Sequence, residues 1–122
     1  MSNKILLIED YPETVGMIKS IFKTRGYEIT VAYEGITGLQ KAISEKPDLI
    51  LLDIMMPGMS GIEVCKKLKS DPETSKIPII IISVKTENED LQLGKEVGAD
   101  GYVTKPFYPD ELVEVVEKYL QS

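Results

Sequence analysis

The sequence contains no histidine and only one cysteine, Cys65. Those two shortages exclude an internal disulfide, a histidine-based catalytic triad and the usual zinc sites. No apolar run approaches the ~20 residues of a membrane span. The opening Met-Ser-Asn-Lys leads straight into a strand pattern, with no signal-peptide layout. Internal repeats, low-complexity tracts and linkers are missing as well. Basic residues are in deficit, 14 against 20 acidic. The resulting net charge of −6 argues against direct contact with a nucleic-acid backbone or an anionic membrane. What remains is the expectation of a cytoplasmic globular protein. Its 122 residues form one domain, 1–122, long enough to enclose a core, and the 43% hydrophobic fraction suits one. Cys65 sits beside Val64 and Leu68 in a helix pattern and reads as a small core hydrophobe.

Short apolar runs alternate with helix-period segments along the chain. Lys4–Ile8, Tyr27–Ala32, Leu49–Leu52, Ile77–Ser83 and Tyr102–Thr104 read as strands. Between them, Val15, Ile18 and Phe22 mark a first helix, with Pro12 in its opening turn. Gly35–Glu45 predicts a second, with Ile36, Leu39 and Ile43 on one face, and Ile62, Cys65 and Leu68 a third. A weak helix around Gly94 follows, and a strongly amphipathic one carries Leu112, Val115, Val116, Tyr119 and Leu120. Such alternation demands right-handed crossovers and a parallel sheet covered on both faces. The fold class is α/β, a doubly wound five-stranded sheet.

The organising stretch is Asp48 to Gly61. A four-residue apolar run bounded by charge, Leu49–Leu52, suits a strand buried on both faces. It ends in Asp53, and Met-Met-Pro-Gly-Met-Ser-Gly then forbids regular structure. Asp53 is thereby lifted to a strand mouth, where open parallel sheets do their chemistry. Asp53-x-x-Met56-Pro57-x-x-x-Gly61 resembles the phospho-acceptor loop of response-regulator receiver domains. Glu9, Asp10, Ser83, Tyr102, Lys105 and Pro106 follow that family's order and spacing, so the resemblance covers nearly the whole chain. It implies the strand order 2-1-3-4-5 of the flavodoxin-like fold, which periodicity leaves open.

In that order, the polar residues ending strands one, three, four and five converge. Three packed carboxylates would raise each other's pKa, and a divalent cation relieves this. The expected cofactor is Mg²⁺, held by Asp10, Asp53 and the Met55 carbonyl, with Glu9 acting through water. The bland alternative for Asp10, and for Asp53, is helix capping. The resemblance makes Asp53 the phospho-acceptor, Lys105 and Ser83 the groups that meet the phosphoryl oxygens, and Lys105-Pro106 a cis peptide. Ser83 and Tyr102 become the switch pair, while Pro57, Gly61 and Pro106 shape the loops. Val84 stands directly after Ser83 where receivers usually have a small residue, and is expected to slow access to Asp53.

The implied function is a phosphorylation switch. Asp53 takes its phosphoryl group from a histidine kinase or histidine phosphotransfer protein. The face made by the Gly94 helix, the Tyr102 strand and the last helix then meets a downstream protein, or a second copy in a phosphorylation-dependent dimer. Such a chain is not an enzyme beyond its own phosphorylation and dephosphorylation, and the lack of a linker leans towards a stand-alone regulator. A haloacid-dehalogenase-like phosphatase is the rival, but it wants an aspartate where Met55 stands. A flavodoxin-like electron carrier is weaker, because no Ser/Thr/Gly-rich phosphate loop follows the first strand.

Overall fold

The computed structural model describes residues 3–56, 58–83 and 94–120, with Ser83 described through its backbone. Pro57, Val84 and Lys85 lie outside the described residues. The elements run β1 (Lys4–Ile8), α1 (Pro12–Lys23), β2 (Glu28–Ala32), α2 (Gly35–Glu45), β3 (Leu49–Asp53), α3 (Gly61–Ser70), β4 (Ile79–Ser83), β5 (Gly101–Thr104) and α4 (Pro109–Leu120). All strand pairs are parallel and the sheet order is β2-β1-β3-β4-β5. Both the fold class and the strand order agree with expectation. β4 starts two residues late, at Ile79, because Pro78 has no N–H to give a ladder; its carbonyl instead accepts from Ile50.

Alternate residues of each central strand feed opposite cores, as period-two geometry requires. Ile5, Leu7, Leu49 and Leu51 join Val15, Ile18, Phe22, Leu112 and Val116 on the α1/α4 side. Leu6, Ile8, Ile50 and Leu52 join Ala42, Val64, Cys65 and Leu68 on the α2/α3 side. Cys65 is therefore a core residue, and burial pushes its thiol up to about 11. No helix among the described residues is long and apolar enough to cross a membrane.

One expected packing face is turned. Leu39 packs on the α2/α3 core as expected, but Ile36 and Ile43 are 58% and 42% exposed. Gly35, Gly38 and Ala42 are buried in their place. A side chain at Gly38 would lie 2.5 Å from Ile8 Cδ1, and one at Gly35 2.8 Å from Val64 Cγ2. Close approach of the helix backbone outweighs burial of the larger isoleucines here. Hydrophobic size misled the sequence reading, because a stripe of glycine and alanine carries no apolar signal.

Candidate functional site

β1 and β3 are neighbours, so the acids that end them stand side by side. Glu9, Asp10 and Asp53 each offer a carboxylate oxygen, and all three oxygens lie within 4.8 Å of one another. Glu9 is fully buried and Asp53 is 3% exposed, whereas Asp10 is half-buried. Glu9 and Asp53 have hydrogen bonds of their own. Glu9 Oε1 accepts from Lys105 Nζ at 2.8 Å, and Oε2 accepts from the Tyr11 amide at 3.2 Å. Asp53 Oδ1 accepts from the Met55 amide at 3.2 Å and stands 3.9 Å from Lys105 Nζ. The lysine thus bridges two strand mouths, and it leans towards Glu9.

Asp53 pays for its position electrostatically. Burial, then the hydrogen bond and repulsion from Glu9, push its carboxyl up to about 7; Lys105 and the Met55 amide pull the other way. The capping alternatives do not hold. The residue preceding α1 is Tyr11, with no side-chain cap, and α3 is capped by Ser60, whose hydroxyl accepts from the Glu63 amide at 3.3 Å. Asp10 and Asp53 are therefore free of helix duty. A cluster of all-oxygen, mutually repelling donors fits a hard divalent cation such as Mg²⁺.

β4 and β5, next in the sheet, carry more of the expected residues. Ser83 ends β4 in register with Thr104, one residue from Lys105. The Lys105–Pro106 peptide is cis. Gly61 donates its amide to the Ile54 carbonyl at 3.0 Å, pinning the start of α3 beneath the acceptor loop. The Met55 side chain is exposed. Tyr102 is half-buried on β5, and its hydroxyl is buried without a partner among the described residues. Sequence reasoning missed the direct Glu9–Lys105 pair and the Tyr11 amide. Strand-end charges gave the first only as proximity, and a backbone donor leaves no trace in residue type.

Over residues 5–117 the sequence matches the response regulator receiver domain family. The chain belongs to that family. This membership leaves no place for the phosphatase and electron-carrier alternatives. Among relatives, the receiver is 40% identical to the DNA-binding response regulator MtrA of Mycolicibacterium smegmatis. That match takes in 99% of this chain and 52% of MtrA, so the receiver spans about half the length of such curated relatives. The relative's name attaches DNA binding to a protein twice as long, and the expectation of no direct nucleic-acid contact finds no support there. Among solved structures, chemotaxis protein CheY4 of Vibrio cholerae is 32% identical, with a TM-score of 0.93 over 98% of this chain and 100% of its own. The receiver domain of sensor histidine kinase PA1611 from Pseudomonas aeruginosa is 25% identical, with a TM-score of 0.93 over the full length of both chains. That structure has a magnesium ion coordinated in its active-site cleft.

Proposed function

We propose that this receiver is a phospho-accepting switch whose acceptor is Asp53. The observation that carries the reading is the cluster itself: three carboxylates within 4.8 Å at two strand mouths, with Lys105 reaching across to Glu9 and Asp53. An Asp53 carboxylate oxygen attacks phosphorus, the phosphorus–nitrogen bond of a phosphohistidine protonated on its other ring nitrogen breaks with its electron pair going to nitrogen, and neutral imidazole leaves. An acyl phosphate on Asp53 results. The phosphohistidine belongs to a kinase or a histidine phosphotransfer protein. Lys105 exchanges its Glu9 partner for a phosphoryl oxygen, and the Ser83 hydroxyl meets another. Positioning and charge compensation are most of what such a transfer needs.

Asp10, Asp53 and the Met55 carbonyl would hold Mg²⁺ directly, and Glu9 through water. When bound, the ion supplies the positive charge that lets three carboxylates and a phosphoryl group share one site. Ser83 and Tyr102 carry the change to the face made by the Gly94 helix, β5 and α4, where a downstream protein or a second copy docks in the cytoplasm. The chain catalyses only its own phosphorylation and dephosphorylation.

Two experiments address this reading. Phosphotransfer from autophosphorylated histidine kinases of the source organism should label the parent in Mg²⁺ and lose the label in a chelator. A transfer that ignores chelation would contradict the metal requirement. Separately, Asp10→Asn should weaken Mg²⁺ binding by about tenfold or more, a change of roughly 1.4 kcal/mol. Glu9→Gln should weaken it clearly less, because Glu9 already spends its oxygens on Lys105 and the Tyr11 amide. Equal losses, read by calorimetry, would refute the division of roles.

A further inference from the structure

Gly94 is a glycine without a backbone reason. Positive φ is confined, among the described glycines, to Gly26, Gly58 and Gly98. The helix that contains 94–96 ends without help from Gly94. Gly98 takes the left-handed position at φ 94°, its amide donates to the Lys95 carbonyl at 3.1 Å, and the Ala99 amide donates to the Gly94 carbonyl at 3.0 Å. Alanine would suit the helix better than glycine at such a position. Packing supplies the missing reason. A Cβ on Gly94 would lie 2.8 Å from Tyr102 Cε1, 3.1 Å from the Tyr102 hydroxyl and 3.0 Å from Ile81 Cδ1. The tyrosine ring occupies the volume that a side chain at 94 would take.

That seat suits the ring and not its hydroxyl. The phenol oxygen is shut off from solvent with no hydrogen-bond partner among the described residues, an unfavourable state for a polar group. Burial correspondingly raises the phenol pKa, ahead of smaller contributions from Cys65, Asp100 and Tyr119. β5 is the edge strand of the sheet, so rotation about the Tyr102 side-chain bonds would carry the hydroxyl into water. Ring packing holds the side chain in, and the dry hydroxyl favours letting it out.

We infer that Gly94 is a positioning residue for Tyr102, and that the side-chain volume at position 94 sets how much of the time the ring is seated inward. Even a methyl group there tilts the balance outward. The inference rests on the switch reading only in giving the seat a purpose; the placement itself needs no phosphate.

The test uses the whole chain labelled with 3-fluorotyrosine, without phosphodonor. Fluorine signals are assigned with Tyr102→Phe and Tyr108→Phe, and a soluble paramagnetic agent reports exposure. Tyr108, 77% exposed, is the internal reference for an open ring. In the parent, the Tyr102 signal should be strongly shielded relative to Tyr108. In Gly94→Ala its relaxation should rise to the Tyr108 level. A Tyr102 signal as shielded in Gly94→Ala as in the parent would overturn the inference. Thermal melts provide a second arm that survives poor folding of the single variant. Gly94→Ala should lower the melting temperature, or prevent folding, when Tyr102 is present, and raise it in a Tyr102→Ala background. A loss of the same size in both backgrounds would also overturn it. Neither arm depends on phosphate, so a failure here leaves the Asp53 assignment standing, and a chain that refuses phosphate still answers this question.

Discussion

Asp53→Asn is expected to make the metal-free protein more stable, by about 2 kcal/mol at pH 8, although it removes the acceptor. The folded Asp53 carboxyl is pushed up to about 7, whereas an unfolded aspartate titrates near 4. Between those values the folded state holds a proton that the unfolded chain has lost. Stability therefore falls as pH rises through that window, and the penalty is complete above about pH 7. The full gap between the folded and unfolded values corresponds to an upper bound of about 4 kcal/mol, and local relaxation reduces it. Below about pH 4 both states are protonated and the penalty is absent, so parent and variant should differ there by no more than about 0.5 kcal/mol. Urea melts of chelator-treated protein at pH 4 and pH 8 measure both gaps. Adding Mg²⁺ at pH 8 should close most of the difference by stabilising the parent alone. A parent–variant gap of the same size at both pH values, or a variant less stable than the parent at pH 8, would mean that burial and Glu9 do not strain the Asp53 carboxylate.

Gly61→Ala is expected to cost about 3 kcal/mol or more of folding stability. A Cβ at Gly61 would meet the Asp53 carbonyl oxygen, would lie 2.6 Å from Ile54 Cα, and would lie 2.9 Å from the Asp53 carbonyl carbon. Every one of these atoms is backbone, in the turn that presents the acceptor. A flexible side chain could swing aside; a strand end buried between β1 and β4 cannot. The same overlap predicts that any surviving fold has a displaced Asp53, so Mg²⁺ affinity should fall together with stability. Gly58→Ala serves as the control. Its φ of 77° strains an alanine, but among the described residues no atom beyond its chain neighbours lies within 4 Å of the added Cβ, so its cost should be about 1 kcal/mol. Equal melting temperatures for Gly61→Ala and the parent would show that the loop gives way more easily than its backbone contacts imply.

The legible parts of the fold were those where chemistry repeats with a period or interrupts one. Apolar runs closing on Glu9, Asp53 and Ser83 marked three strand mouths, and their alternation with helix patterns required a parallel sheet. The strand order itself came through the family resemblance, since no residue pattern separates 2-1-3-4-5 from its permutations. Where size and closeness compete, the sequence pointed the wrong way. In α2 the structure seats Gly35, Gly38 and Ala42 against the sheet and leaves Ile36 and Ile43 outside. At the site, residue types marked who could take part but not who pairs with whom. Lys105 is 2.8 Å from Glu9 and 3.9 Å from Asp53, a preference set by side-chain geometry that spacing does not encode. Gly94 was visible only as a weak point in a helix, and its meaning depends on Tyr102 lying eight residues downstream on a neighbouring element.

Exposure to acetyl phosphate with Mg²⁺ tests Asp53 as the acceptor without any kinase. Acetyl phosphate offers a phosphoryl group without supplying a protein that could position it, so the chain must provide the chemistry. Intact-mass measurement, followed by borohydride reduction and peptide mapping, finds both the number of groups and their address. The expected result is one phosphoryl group on the parent, mapped to Asp53, and none on Asp53→Asn under the same conditions. Undiminished labelling of Asp53→Asn would contradict it.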